Sequence, residues 1–243
     1  MIIDINRVLG PIPADDVPSR DEAGLVAELD RLGIDLACTV HSHALFYDPV
    51  AGAPPPASGR LVHVPVLVPG PLGTGPSTAR LVRLCPAEHR FALTGPHGLA
   101  LAGDLADRGT TVLLGWESAG FGEIHRLATL LPRLRVVLVN TGYRALRELA
   151  DLMDAHPRIG VDTATLNGHQ SVEWLARRHG AHRVWFGTGA PVSDDAGPRF
   201  QLDHLDLPDD DVALIAGGNA RTLLGLPGDS APPRDAARTG GRT

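Results

Sequence analysis

The chain has 243 residues, 43% of them hydrophobic, with a formal net charge of -6 at pH 7, which suits one domain of α/β-barrel size. Lysine and arginine together number 22 and every one is arginine, so Schiff-base chemistry, pyridoxal phosphate chemistry and a P-loop are excluded. The chain contains no run of basic residues that could follow a phosphate backbone, and we therefore expect no nucleic-acid partner.

The remaining bulk features concern location and redox chemistry. No stretch of about 20 apolar residues and no signal-like amino terminus is seen, so we expect a cytoplasmic protein without a membrane partner. Cys38 and Cys85 lack CxxC spacing, which argues against a zinc knuckle or a redox pair. The sequence does not determine the number of subunits, and a homo-oligomer is one of the open alternatives.

Short apolar runs alternate with segments of helical periodicity along most of the chain. Strands are predicted at residues 1–5, 34–40, 61–68, 90–94, 111–114, 136–139, 159–163 and 184–186. Helices are predicted at residues 21–32, 99–107, 121–131, 144–155, 171–179 and 209–224. Residues 80–85 are expected to form a short helical turn, and the Gly- and Pro-rich segments 47–60 and 70–77 are expected to be loops.

Polar or glycine residues follow five of the apolar runs directly, as at Asn6, His41, Glu117, Asn140 and the turn 187–189. Strands whose carboxyl ends carry polar residues are typical of the active face of an α/β barrel. The fold class predicted is therefore α/β, a (β/α)8 TIM barrel with some distortion allowed. We expect one domain over residues 1–226 and a disordered tail over residues 227–243.

Four separated motifs carry a resemblance to a known family. They are Met1-Ile2-Ile3-Asp4-Ile5-Asn6-Arg7-Val8, Gly33-Ile34-Asp35-Leu36-Ala37, Trp185-Phe186-Gly187-Thr188-Gly189-Ala190-Pro191 and Gly218-Asn219-Ala220-Arg221-Thr222-Leu223-Leu224-Gly225-Leu226. In this order they resemble the amidohydrolase-2 branch of the metal-dependent amidohydrolase superfamily, which includes aminocarboxymuconate semialdehyde decarboxylase-like enzymes. The resemblance covers roughly residues 1 to 226 and implies a barrel with hydrolase or lyase chemistry.

The metal ligands that the resemblance implies are missing from this chain. The two histidines of the first strand fall at Asn6 and Val8, the histidine of the sixth strand at Asn140, and the aspartate of the last motif at Gly189. Valine and glycine side chains donate nothing to a metal, and asparagine is a weak neutral ligand. We therefore expect no metal and no other cofactor.

Two residues at strand ends are candidates for acid/base catalysis. The unperturbed pKa of a histidine suits proton transfer at neutral pH, which favours His41, and Glu117 follows the fifth strand at the mouth of the barrel. Glu117 could instead brace the rim by pairing with Arg144 or Arg7. His41 and His43 could instead be loop histidines, or a relocated metal pair completed by Asp162 or Glu117.

Further polar residues at the same face are candidates for substrate binding. They are Asn6, Arg7, His43, Trp116, Asn140, Tyr143, Arg144 and Asp162. Amides bind carbonyl groups and arginine forks onto carboxylates, while buried Asp4 and Asp162 require polar partners of their own. The alternative is that these groups fill a barrel that has lost its metal.

Three functions remain open at this point. The first is a metal-independent enzyme that carries out hydrolysis or lyase-type elimination on a small-molecule substrate, a polar carboxylate or amide. The second is a non-catalytic pseudoenzyme that binds a metabolite or a protein partner. The third is a metal-dependent hydrolase or decarboxylase with a relocated metal site.

Overall fold

The computed structural model describes residues 1–13, 15–51 and 55–227, and its eight strands all run parallel. In chain order they are β1 (Ile3–Leu9), β2 (Leu36–His41), β3 (Leu61–His63), β4 (Leu81–Leu84), β5 (Thr111–Gly115), β6 (Arg135–Val139), β7 (Ile159–Asp162) and β8 (Val184–Trp185). Strands β1 to β3 form one sheet and β4 to β8 a second, each in sequential order.

Backbone hydrogen bonds join the two sheets at both edges. Beyond β3, the N–H of Leu67 donates to the Arg83 carbonyl oxygen at 3.0 Å. On the other side the N–H of Ile5 donates to Phe186 at 3.0 Å, and that of Gly189 to Asn6 at 2.9 Å. The ring is thus closed, and the predicted TIM barrel is confirmed.

Among the described residues a helix follows every strand except β3, and the longer helices cover the outside of the barrel. They are α1 (Glu22–Leu32), α2 (Ser42–Phe46), α3 (Pro96–Arg108), α4 (Trp116–Ala119), α5 (Phe121–Leu130), α6 (Leu146–Ala155), α7 (Ser171–His179), α8 (Ala196–Asp203), α9 (Asp209–Ala213) and α10 (Asn219–Leu224), with a π-helical segment at Leu214–Gly218. Within the described ranges, no helix has both the length and the apolar character needed to cross a membrane.

Strand β4 shows how alternation assigns side chains to the two sides of the barrel wall. Val82 and Leu84 pack in the cluster between the strands and the helices, whereas Leu81 and Cys85 belong to the cluster inside the barrel. Because side chains alternate along a strand, Arg83 faces inward with Leu81 and Cys85. An arginine is thereby placed in the barrel interior.

A bulge in β1 determines the directions in which the first polar residues after it face. The register against β2 runs from Asp4 opposite Ala37 to Arg7 opposite Thr39, so β1 contains one extra residue. Such a bulge redirects the side chains that follow it. Asn6 faces the barrel interior, and Arg7 points outward to the helix layer.

Three local predictions differ from the structure. Residues 80–85 contain β4 and not a helical turn. Residues 90–94 form no strand, because Arg90 has a φ of 56°, which is incompatible with extended backbone. The helix predicted at residues 209–224 is divided by the π-helical segment. The predicted tail lies outside the described residues from residue 228 onward.

Candidate active site

A cavity of about 220 Å³ opens at the carboxyl ends of the strands. Its polar floor consists of Asn6, Arg83 and Asn140, and Glu88 and Glu117 stand at its rim. The apolar side chains that line it are Val8, Val40, Leu45, Phe46, Trp116, Val139 and Val192. The site is therefore small and mostly apolar, with charged groups of both signs at defined places.

The amide of Asn6 organises the floor of the cavity. Its Nδ2 donates to Asn140 Oδ1 at 3.0 Å and to Asp162 Oδ2 at 2.7 Å, and its Oδ1 accepts from Arg83 Nη1 at 3.5 Å. The backbone N–H of Asn140 donates to Asp162 Oδ1 at 3.1 Å. Strands β1, β4, β6 and β7 are thus linked by one polar network across the barrel.

Asp162 lies at the end of β7, behind the two amides, and does not line the cavity. Burial raises the pKa of its carboxyl to about 8, against the lowering effects of the Asn6 and Asn140 hydrogen bonds and of the Arg83 charge. Burial therefore favours the neutral form of this carboxyl over the carboxylate. Its position makes Asp162 a residue that orients Asn6 and Asn140.

Arg83 is the feature of the site that the sequence analysis missed. Arg83 is only 8% exposed, it forms no ion pair within the described ranges, and its Nε is buried without a hydrogen-bond partner. A buried guanidinium is costly unless its donors are used. The apolar residues Leu81, Val82 and Leu84 around Arg83 are the available signal for this strand, and the helical turn predicted at residues 80–85 is wrong.

Two carboxylates stand at the rim of the cavity. Glu117 is exposed in α4 and has no side-chain hydrogen bond or ion pair among the described residues. Glu88 Oε2 accepts a short hydrogen bond from the Ser118 hydroxyl. Trp116, next to Glu117, packs against Phe121 with ring centroids 6.1 Å apart. Glu117 and Trp116 therefore both line this cavity.

Arg7 lies outside the cavity. It is fully buried, with Nη2 at 2.8 Å from Glu28 and 3.2 Å from Asp195, and Nη1 at 3.2 Å from the Thr188 hydroxyl. Asp4, 3.9 Å away, accepts from the Thr188 hydroxyl at 2.6 Å. Substrate binding by Arg7 is not supported, because its charge is used to join β1 to α1 and to the segment after β8.

His41, the last residue of β2, and His43 are also outside the lining of the cavity. The His41 Nδ1 accepts from the backbone N–H of His43 at 3.1 Å, and burial followed by the His43 charge lowers its pKa. His43 is exposed and stacks on Tyr47, with ring centroids 5.7 Å apart. The structure does not bring His41 together with Glu117 in one cavity.

Tyr143 and Arg144 form a pair of their own on the surface. Both are exposed, and the guanidinium of Arg144 lies 5.6 Å from the centroid of the Tyr143 ring. Arg144 Nε donates to the Tyr143 hydroxyl at 3.3 Å. Neither residue lines the cavity beside Asn140, so Arg144 does not pair with Glu117 here.

The residues at the family's metal positions do not fit a metal ion. The N–H groups of Asn6 point at Asn140 Oδ1 and Asp162 Oδ2, the oxygens that a cation would need. Val8 and Gly189 have no donor atoms. Throughout residues 1–13, 15–51 and 55–227, no cluster of three or more His, Cys, Asp or Glu side chains could hold a metal.

A closed parallel barrel with polar groups at the carboxyl ends of its strands defines a TIM-barrel protein. Its candidate site lies at the end of the barrel where TIM-barrel enzymes have their active sites. The sequence model of the Amidohydrolase family (Amidohydro_2) matches residues 77–226. The chain belongs to this family, which confirms the resemblance found in its motifs. No curated protein matches the chain.

Solved structures of low identity share the fold. An uncharacterised TIM-barrel protein from Bordetella bronchiseptica is 17% identical, with a TM-score of 0.70 over 92% of this chain and 98% of its own. A 2,6-dihydroxybenzoate decarboxylase from Rhizobium is 14% identical (TM-score 0.66, 93% and 98%). A putative 2-pyrone-4,6-dicarboxylic acid hydrolase from Pseudomonas putida is 18% identical (TM-score 0.66, 92% and 97%). At these identities the similarity shows the fold alone.

Proposed function

We propose that this amidohydrolase-like chain is an enzyme that hydrolyses an acyl bond in a small molecule that carries a carboxylate, or eliminates a leaving group from such a molecule, without a metal ion. The observation that carries the proposal is Arg83, a buried cation without a carboxylate partner among the described residues, which lines a mostly apolar cavity. A substrate carboxylate would accept from the guanidinium fork, and the apolar walls would strengthen that contact.

The remaining polar groups have separate roles in this proposal. Asn140 Nδ2 has no hydrogen-bond partner among the described residues, so it is free to donate to a substrate carbonyl. Glu117 removes a proton, either from water in hydrolysis or from the carbon next to the carboxylate in elimination. That proton then passes from Glu117 to the leaving group, while Glu88, which lines the same cavity, accepts a hydrogen bond from the Ser118 hydroxyl. The reaction needs no donor from outside the cavity.

Binding is tested with paired carboxylates and amides. Two structural neighbours are named for 2,6-dihydroxybenzoate and 2-pyrone-4,6-dicarboxylic acid, so these acids, with benzoate and benzamide, form the first panel. We expect a carboxylate to bind and benzamide not to bind, and Arg83→Gln to weaken binding at least about tenfold. The exposed Arg126→Gln is the matched control. Equal affinity for the acid and the amide would contradict the role of Arg83.

Catalysis is tested separately, on whichever carboxylate is consumed. Glu117→Gln should lower kcat about 100-fold or more and leave KM nearly unchanged, because the side chain moves a proton without binding the carboxylate. His41→Ala should keep the wild-type rate, since His41 does not line the cavity. A wild-type rate in Glu117→Gln would remove the acid/base assignment.

A binding protein without catalysis is the second candidate. It is favoured by the Asn6 amide, whose nitrogen and oxygen are both engaged in the internal network. In that case the panel would show Arg83-dependent binding, and mass spectrometry would detect no conversion above the rate in buffer.

A further inference from the structure

A second and larger cavity lies at the opposite, amino-terminal end of the barrel. Its volume is about 880 Å³, and no aspartate or glutamate lines it. The arginines that line it are Arg80, Arg108, Arg135, Arg158 and Arg183. We call this cavity the arginine pit. Five cations and no lining carboxylate are unusual in a chain whose net charge is -6.

The barrel topology gathers these arginines from distant parts of the sequence. Arg80, Arg158 and Arg183 directly precede β4, β7 and β8, and Arg135 begins β6. In parallel strands all of these positions fall at the same end of the barrel. Backbone hydrogen bonds confirm the alignment, because Arg80 O accepts from Thr111 at 2.9 Å and Arg158 O accepts from Val136 at 3.1 Å.

Most of this positive charge is not neutralised within the described structure. Arg108 pairs with Asp104 at 3.0 Å, and Arg183 donates to three main-chain carbonyl groups, each at 2.8 Å. Arg135 and Arg158 are exposed and have no ion pair or hydrogen bond through their side chains among the described residues. Arg135 of β6 and Arg158, directly before the neighbouring strand β7, therefore line the pit with guanidinium groups that have no partner among the described residues.

We propose that the arginine pit binds the oligophosphate group of a small molecule. Guanidinium forks match phosphate oxygens in geometry, and a concave surface with charges of one sign concentrates the potential inside it. The volume of the pit suits a small molecule. The net negative charge of the chain disfavours a polymer that would extend beyond the pit, so a nucleic acid is the less suitable occupant.

Calorimetric titration of inorganic triphosphate into the full chain at about 0.15 M salt tests this site. We expect saturable binding with one triphosphate per chain and much weaker binding of orthophosphate. Arg135→Gln combined with Arg158→Gln should raise Kd at least about tenfold. Both residues are exposed, so the double variant should unfold at the wild-type temperature.

The matched control is Arg126→Gln combined with Arg147→Gln. It removes the same charge from two exposed arginines outside the pit and should leave Kd within about twofold. A Kd for ATP equal to that for triphosphate assigns recognition to the oligophosphate, and a lower Kd for ATP adds the nucleoside. Absence of triphosphate binding, or equal weakening in both double variants, would overturn the proposal.

Discussion

Asn140 and Gly189 depart from the family pattern together, and the structure gives a steric reason. A Cβ atom at Gly189 would lie 2.4 Å from Asn140 Oδ1, and the Gly189 φ of +69° is in the left-handed region. An aspartate therefore cannot stand at position 189 while Asn140 keeps its place beside Asn6. The glycine at position 189 and the amide at position 140 are parts of one arrangement.

A double-mutant cycle measures this dependence. Gly189→Ala should lower the free energy of unfolding by about 2 to 4 kcal/mol, because it adds both backbone strain and a clash with the amide. In an Asn140→Gly background the clash disappears, and the cost should fall to about 1 to 2 kcal/mol. Asn140 has a φ of 56°, a conformation that glycine adopts readily.

Urea unfolding of the four proteins in this cycle provides the measurement. The expected coupling of about 1 to 2 kcal/mol has the sign of relieved repulsion. Purely additive changes would mean that Asn140 moves aside at no cost, and that the two positions are independent.

At the scale of elements, Arg7 joins β1 to α1 and to the segment after β8. Replacing it with leucine would leave Asp4, Glu28 and Asp195 without their common cation. Removing one partner of a buried ion pair costs about 3 to 5 kcal/mol. We therefore expect Arg7→Leu to lower the free energy of unfolding by that amount, measured by chemical denaturation.

Arg31→Leu is the control for this prediction. Arg31 pairs with the same Asp195 at 2.9 Å, but its side chain is 55% exposed. Exposed pairs contribute about 1 kcal/mol or less, so the variant should remain close to the wild type. A comparable decrease in the free energy of unfolding of both variants would show that the lost contact with Asp195, and not the buried position of Arg7, determines the effect.

Strand β4 shows where prediction from the sequence reached its limit. Most strands were predicted because their apolar runs are bounded by polar or glycine residues, whereas β4 contains Arg83 in its middle. A charged residue in a short run is usually exposed, and no periodicity over four residues indicates that it faces a cavity inside the barrel. The error removed Arg83 from the predicted site.

The bulge in β1 limited the prediction in a different way. The sequence shows Asn6 and Arg7 side by side after an apolar run, and both were expected at the active face. Alternation sends adjacent side chains to opposite faces of a strand, and only the register against β2 shows which of them faces inward. The expected polar partners of the buried aspartates are present. Asp4 contacts a hydroxyl and an arginine, and Asp162 accepts from an amide.

At the scale of the whole molecule, barrel closure creates environments that no local segment contains. The arginines at the start of the strands are far apart in sequence and form no basic run, yet they meet in the arginine pit. At the other end, one network joins Asn6 of β1, Arg83 of β4, Asp162 of β7 and Asn140, which directly follows β6. One cavity is lined by charges of both signs, and the other by arginines without a carboxylate.

The buried carboxyl of Asp162 should make the stability of the whole barrel depend on pH. Its pKa is about 8 in the folded chain and about 4 in an unfolded chain. Between these values the folded state holds a proton that the unfolded state has released. The free energy of unfolding should therefore fall as pH rises, by at most about 1.4 kcal/mol per pH unit from this group.

Asp162→Asn provides the reference, because it is nearly isosteric and does not titrate. It loses one of the acceptors for Asn6 and Asn140, which shifts its stability at every pH alike. Urea unfolding of both proteins between about pH 5 and pH 8 isolates the carboxyl. As pH rises through this range, the free energy of unfolding of the wild type should fall by at least about 1 kcal/mol relative to that of Asp162→Asn. Parallel curves would mean that Asp162 is ionised in the folded barrel, paired with the Arg83 charge.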